Sequence, residues 1–217
     1  MIVAIDGPAG AGKSSVARGA AARLGFSYLD TGAMYRAAAV AVIDRGVSHE
    51  DADEVARVVE SVDLDVEKNR ILLNGEDVSD RIRSGEVTAI VSAISAQRRV
   101  RANMAARQRA LAAAKDVVIE GRDIGTVIAP HAEVKVFLTA SLDERARRRC
   151  RQQGVPEEGP ECTQIRVQIE ARDAADSSRS ESPLVPAPDA VTIDSTHMTE
   201  AEAVEAVVDL VRQRSGR

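Results

Sequence analysis

The sequence has no tryptophan and only two phenylalanines and two tyrosines, an aromatic share of 2%. Stacked rings cannot organise its interior, so the core has to come from Ala, Val, Ile and Leu. At 44% hydrophobic residues over 217 positions, there is enough apolar material for one compact domain. Cysteine is nearly absent. Cys150 and Cys162 flank a polar loop and lack the four-ligand pattern of a zinc lid, so ordinary reduced thiols are expected. No charged segment followed by an apolar run comes after Met1, and no run of ~18 apolar residues occurs anywhere. The expectation is a soluble cytoplasmic protein that makes no membrane contact. A formal net charge of -5 argues against binding nucleic acid through bulk charge. Arginine is nevertheless concentrated in the C-terminal half, where local charge matters more than the sum. No internal repeat and no large apolar surface stripe are evident, which makes a monomer the default.

What is present is an alternation of short apolar runs and helical patterns. Residues 2–5 read as a buried strand, 14–24 as an Ala-rich helix ended by Gly25, and 26–29 as a second strand. Helices follow over 33–44 and 51–59. The stretch from 62 to 85 alternates and contains Asn74-Gly75, a hairpin turn signal, so it reads as a small antiparallel insertion. Residues 86–114 are helical, as two helices meeting near Gln97. Strands are expected at 117–119, 134–138 and 190–193, and helices at 142–152, 161–178 and 199–212. EGRDIGT, from Glu120, reads as a polar loop and QQGVPEEGPE as a mobile flap. Short apolar strands alternating with helices predict an α/β fold: a parallel sheet of about five strands covered by helices on both faces.

Gly7, Pro8, Ala9, Gly10, Ala11, Gly12, Lys13 and Ser14 fit GxxxxGK[ST], followed by Ser15. Glycines let the backbone curl so that successive N–H groups point at an anion, and the following helix adds its positive end. Lys13 supplies a compact charge to the outer phosphates and Ser14 a hydroxyl for magnesium. A strand before and a helix after provide the required context, whereas the spacing excludes the dinucleotide fingerprint GxGxxG.

A phosphate loop is shared by motors, switches and kinases. No guanine-reading Asn-Lys-x-Asp segment is found, which argues against a GTPase. DVVIEGRD ends its strand in an arginine-bearing turn better suited to a second anionic substrate than to a hydrolytic water. LDTGAMYR places Thr31 as a cap for the next helix, with Tyr35 and Arg36 on its first turn. Arg172, Asp176 and Arg179 are spaced i, i+4 and i+7, along one side of a continuing helix. In the run Arg145, Arg147, Arg148, Arg149, Arg151, several must face solvent, and two or three can reach phosphates when the flap closes. A small-molecule kinase is the reading these features favour.

GPAGAGKSS, LDTGAMYR, EGRDIGTVIAP, ARDAADSSR and SPLVPAPDA, in this order and spacing, closely resemble the bacterial cytidylate kinase family over essentially the whole chain. The resemblance implies a single nucleoside monophosphate kinase domain over 1–217: a P-loop NTPase-type core (1–35, 86–145, 180–217), an NMP-binding region at about 36–85 and a short lid at about 148–165. It implies transfer of the terminal phosphoryl group of ATP to CMP or dCMP, with Mg2+ bound alongside ATP and Ser14 as its protein ligand. ATP is expected on residues 7–15. CMP is expected on Thr31, Tyr35, Arg36, Ser92, Arg101, Arg122, Asp123, Arg172, Asp176 and Arg179. Within that set Thr31, Ser92, Arg101 and Asp123 read the base, Arg172 and Asp176 hold the ribose, and Arg36, Arg122 and Arg179 grip the acceptor phosphate. Lys13, Arg122 and Arg148 are the expected catalytic groups. Two alternatives stand beside this: a related P-loop kinase with another acceptor, UMP/CMP-type or shikimate-type, and a non-catalytic nucleotide-binding regulator.

Overall fold

The structure, a computed structural model, describes residues 1–67, 70–113 and 116–216. Positions 68 and 69 of the expected insertion and 114 of the expected helical stretch lie outside them. The chain divides into two compact units, Met1–Tyr28 with Lys115–Arg217, and Leu29–Ala114.

The first unit carries most of the parallel sheet. Strands β1 (Ile2–Asp6), β2 (Ser27–Asp30), β6 (Val117–Gly121), β7 (Val134–Thr139) and β8 (Val191–Asp194) run in the order β2-β6-β1-β7-β8. The pairs β1–β6, β1–β7 and β7–β8 are parallel. Val3 and Ile5 of β1, Val118 of β6 and Val134, Val136 and Leu138 of β7 pack on Val16, Ala17 and Ala20 of α1 (Lys13–Leu24) and on Val204, Val207 and Val208 of α8 (Glu200–Ser215). The scarcity of aromatics is met by this close packing of small aliphatic side chains. Helix α8 starts on a capping box in which Thr199 and Glu202 each satisfy the other's backbone N–H.

Two further helices, α6 (Leu142–Gln153) and α7 (Pro160–Ser177), form an arm with its own small core of Ala146, Cys150, Cys162, Ile165 and Ile169. The two cysteines are joined in a disulfide, which corrects the expectation of reduced thiols. The last turn of α6 faces the first turn of α7 there, and the Cα atoms lie 5.8 Å apart, within bridging range. An expectation drawn from compartment alone could not see that approach.

In the second unit, α2 (Thr31–Asp44), α3 (Ala52–Ser61), α4 (Gly85–Ala96) and α5 (Arg98–Ala112) accompany a three-stranded antiparallel sheet of β3 (Leu64–Glu67), β4 (Arg70–Leu73) and β5 (Glu76–Asp77). Asn74 and Gly75 both take positive φ, 51° and 82°, and turn β4 into β5 as a primed turn requires. Helix α2 is capped by Asp30, whose carboxylate accepts from Ala33 N at 2.9 Å, and not by Thr31, which is the first helical residue. The helix starts two residues before the expected 33, and the stronger acceptor takes the cap.

Candidate active site

The site begins where β1 ends. Asp6 pairs with Gly121 across adjacent parallel strands, so the loop after β1 and the loop after β6 leave the sheet side by side. The crevice outside strand carboxyl ends is where open α/β sheets bind ligands. Only glycine fits at two points of the first loop. At Gly7 (φ 151°) a Cβ would lie 2.0 Å from the Leu138 carbonyl oxygen, and at Gly10 (φ 77°) it would lie 3.0 Å from that of Arg145.

Four carbonyls of this loop are held by side chains. Gly7 O accepts from Arg122 Nη1 at 2.8 Å and Pro8 O from Lys13 Nζ at 2.7 Å. Ala9 O accepts from Arg145 Nη1 at 3.0 Å, and Ala11 O from Arg148 Nη1 at 3.3 Å and Ser195 Oγ at 3.4 Å. Arg145 and Arg148 are thus the two members of the arginine run that face the loop. Arg147, Arg149 and Arg151 lie on the surface against Glu144, Gln152 and Glu157. Arg148 also bonds Glu144, Ser195 Oγ and Ser195 O, so most of its donors are engaged with protein.

Lys13 is buried, and burial, reinforced by the nearby Arg122 guanidinium, pushes its ammonium down to about 7. Glu120 and Asp6 oppose that shift. Asp6, also buried, is pushed up to about 6, chiefly by loss of solvent. Its two oxygens accept from Ile124 N and Gly125 N, both at 2.8 Å. They fasten a single π-helical turn, Ile124–Ile128, which replaces the continuous loop expected there. Asp6 was missed in the sequence; its signal was an acid ending an otherwise apolar strand. Glu120 accepts from the Tyr28 hydroxyl.

Ser14 is exposed at the start of α1. A hydroxyl there suits Mg2+, a hard cation that prefers oxygen ligands and keeps several waters. Among the described residues, no three or more His, Cys, Asp or Glu side chains are grouped to hold a metal. The exposed Ser14 hydroxyl fits an ion that arrives with a nucleotide.

The same unit gathers the second group of expected residues. Asp176 is buried; its Oδ2 accepts from Arg122 Nε at 2.8 Å and its Oδ1 pairs with Arg179 Nη2 at 2.5 Å. Helix α7 ends at Ser177, so Arg179 does not lie on a continuing helical face; it reaches Asp176 from beyond the helix end. Arg172, half-buried, precedes Asp176 by one turn of α7. Asp123 is buried immediately before the π turn.

Within the second unit, Arg101 is buried, donates to Ser95 O at 3.1 Å and lies over the Tyr35 ring at 5.8 Å. Tyr35 and Arg36 lie on the second turn of α2 and not its first, and Arg36 donates to Thr88 Oγ1 at 3.2 Å and Ile82 O at 3.3 Å. Ser92 is exposed on α4, one turn beyond Thr88, and Thr31 is buried.

A phosphate loop between a central parallel strand and its helix, with a cation-lined turn on the adjacent strand, defines a P-loop phosphotransferase of the small-molecule kinase class. The family model for cytidylate kinase matches residues 3–213, and the chain belongs to that family. It is 48% identical over 220 residues to a cytidylate kinase of Mycobacterium avium, covering 99% of this chain and 96% of that protein. It is likewise 48% identical over 223 residues to a bifunctional pantoate ligase/cytidylate kinase of a Synechococcus strain, covering 99% of this chain and 46% of that longer protein. A solved shikimate kinase from Bacteroides thetaiotaomicron, 13% identical, superposes with a TM-score of 0.51 over 100% of this chain and 99% of its own, a likeness of fold alone.

Proposed function

We propose that this protein transfers the terminal phosphoryl group of ATP to CMP or dCMP, giving ADP and CDP or dCDP. The observation that carries the reading is the pairing, within one unit, of a phosphate loop with Arg122 and Arg179 gathered on Asp176. Such transfer needs positioning and charge neutralisation, with no covalent work by the protein. The residues 7–15 hold the donor's phosphates, with Lys13 on the outer ones. Mg2+, carried by ATP and met by the Ser14 hydroxyl, would neutralise charge on the phosphates.

Arg36, Arg122 and Arg179 take the acceptor phosphate, Arg172 and Asp176 the ribose, and Thr31, Ser92, Arg101 and Asp123 the base, with Tyr35 stacked beneath Arg101. A carboxylate at Asp123 accepts from the cytosine amino group, and arginine donates to the ring acceptors. Lys13, Arg122 and Arg148 stabilise the transferring group. Arg148 reaches it only by giving up Ser195 and Ala11, a change that belongs with closure of the lid at about 148–165. The chain works as one nucleoside monophosphate kinase domain, as a monomer, in the cytoplasm, without nucleic-acid or membrane partners. No helix among the described residues is long and apolar enough to cross a membrane. An assay with ATP, Mg2+ and CMP tests the reading: ADP and CDP form in equal amounts, and their absence overturns it.

A further inference from the structure

Arg145 and Asp173 form a partly buried ion pair on the arm formed by α6 and α7. Between them they take both polar groups of Ala9. Asp173 Oδ1 accepts from Ala9 N at 3.1 Å, Asp173 Oδ2 pairs with Arg145 Nη1, and that same nitrogen donates to Ala9 O at 3.0 Å. Arg145 Nε is fixed in turn on Ala140 O at 3.0 Å. No cis peptide bond occurs among the described residues. In a planar trans peptide, C=O and the following N–H point in opposite directions. Holding Ala9 O outward on Arg145 therefore turns the Gly10 N–H the other way, into the loop. Drawing the Ala9 N–H outward onto Asp173 turns the Pro8 carbonyl inward, where Lys13 Nζ meets it.

We infer that the Arg145–Asp173 pair is a positioning device for ATP, acting through the Ala9 backbone to aim the Gly10 amide and seat Lys13. Arg145 does this without touching a phosphate, and Asp173 keeps its guanidinium neutralised and in place. This rests on the reading that residues 7–15 hold ATP. The pair belongs to the donor side: neither residue contacts Arg122, Asp176 or Arg179 in the bonds described.

The test titrates the full-length chain separately with a non-hydrolysable MgATP analogue and with CMP. Asp173→Ala and Arg145→Ala each weaken the ATP analogue by ~10-fold or more while CMP affinity stays within ~2-fold, because one charge-assisted amide position is lost on the donor side alone. The double variant is no weaker than the worse single one, since the two act as a unit. ATP-analogue affinity unchanged in both singles, equal loss for both nucleotides, or additive losses would overturn the inference. If Asp173→Ala does not melt cooperatively, Asp173→Asn replaces it, with the same selective direction expected and the same outcomes against it. Wild-type protein that binds no ATP analogue would instead overturn the functional reading beneath it.

Discussion

Arg122 donates from Nε to Asp176 Oδ2 at 2.8 Å, joining the turn after β6 to helix α7 across 54 positions of chain. The carboxylate is buried and shared with Arg179, so its charge holds two guanidinium groups at once. Removing one partner of such a cluster leaves the others misplaced and poorly compensated.

Asp176→Ala is accordingly expected to raise KM for CMP by ~10- to 100-fold, with KM for ATP within ~3-fold. Steady-state kinetics with each nucleotide varied in turn provides the check. Equal rises would give Asp176 a general structural role instead.

Asp123 is the expected reader of the cytosine amino group. Asp123→Asn removes the acceptor charge, so preference for CMP over UMP falls from a margin of roughly ten- to hundred-fold toward parity. The ratio of kcat/KM for the two acceptors measures this. An unchanged ratio would remove Asp123 from base reading.

Lys13 is pushed down to about 7, first by burial and then by Arg122. Bound phosphates are anionic and raise it again. Below pH 7 the group is already charged, and ATP binding needs no proton. Above pH 7 it is largely neutral, so binding takes up a proton and affinity falls, by at most ~10-fold per pH unit. Titration calorimetry of MgATP in two buffers of different ionisation heat, at pH 6 and pH 8, reads the uptake. Uptake at pH 8 and little at pH 6 is the expected result, and the Lys13→Met variant should show no such uptake at either pH.

Gly7 and Gly154 both have positive φ, 151° and 67°, but differ in their surroundings. A Cβ at Gly7 meets Leu138 backbone, whereas at Gly154 nothing lies within 4 Å. Gly154→Ala is expected to cost about 1 kcal/mol, and Gly7→Ala upwards of ~3 kcal/mol together with loss of ATP binding. Urea unfolding of the two variants compares them, and similar costs would contradict the close approach to β7.

Much of this was legible in the sequence because it rests on local patterns. Alternating apolar runs marked the strands, Asn74-Gly75 its turn, and GPAGAGKSS its loop with the right strand before and helix after. What escaped depends on distant parts of the chain meeting. Asp6 looked like a strand end until Ile124 and Gly125 were seen to bond it. Cys150 and Cys162 looked like separate thiols until α6 and α7 brought them together. Spacing leaves two or three members of the arginine run free to reach phosphates, yet the two that face the loop, Arg145 and Arg148, donate to its carbonyls. Arg179 was placed on a helix that stops at Ser177, and it meets Asp176 all the same. Spacing shows which residues share a face, but not which carbonyl a guanidinium will find.

The destination of the phosphate separates this enzyme from other P-loop kinases. Initial rates with ATP and Mg2+ against a panel of CMP, dCMP, UMP, AMP and shikimate test it most directly. CMP or dCMP is expected to give the highest kcat/KM, with UMP behind by roughly ten-fold or more. UMP, AMP or shikimate outperforming both cytidine nucleotides would contradict it.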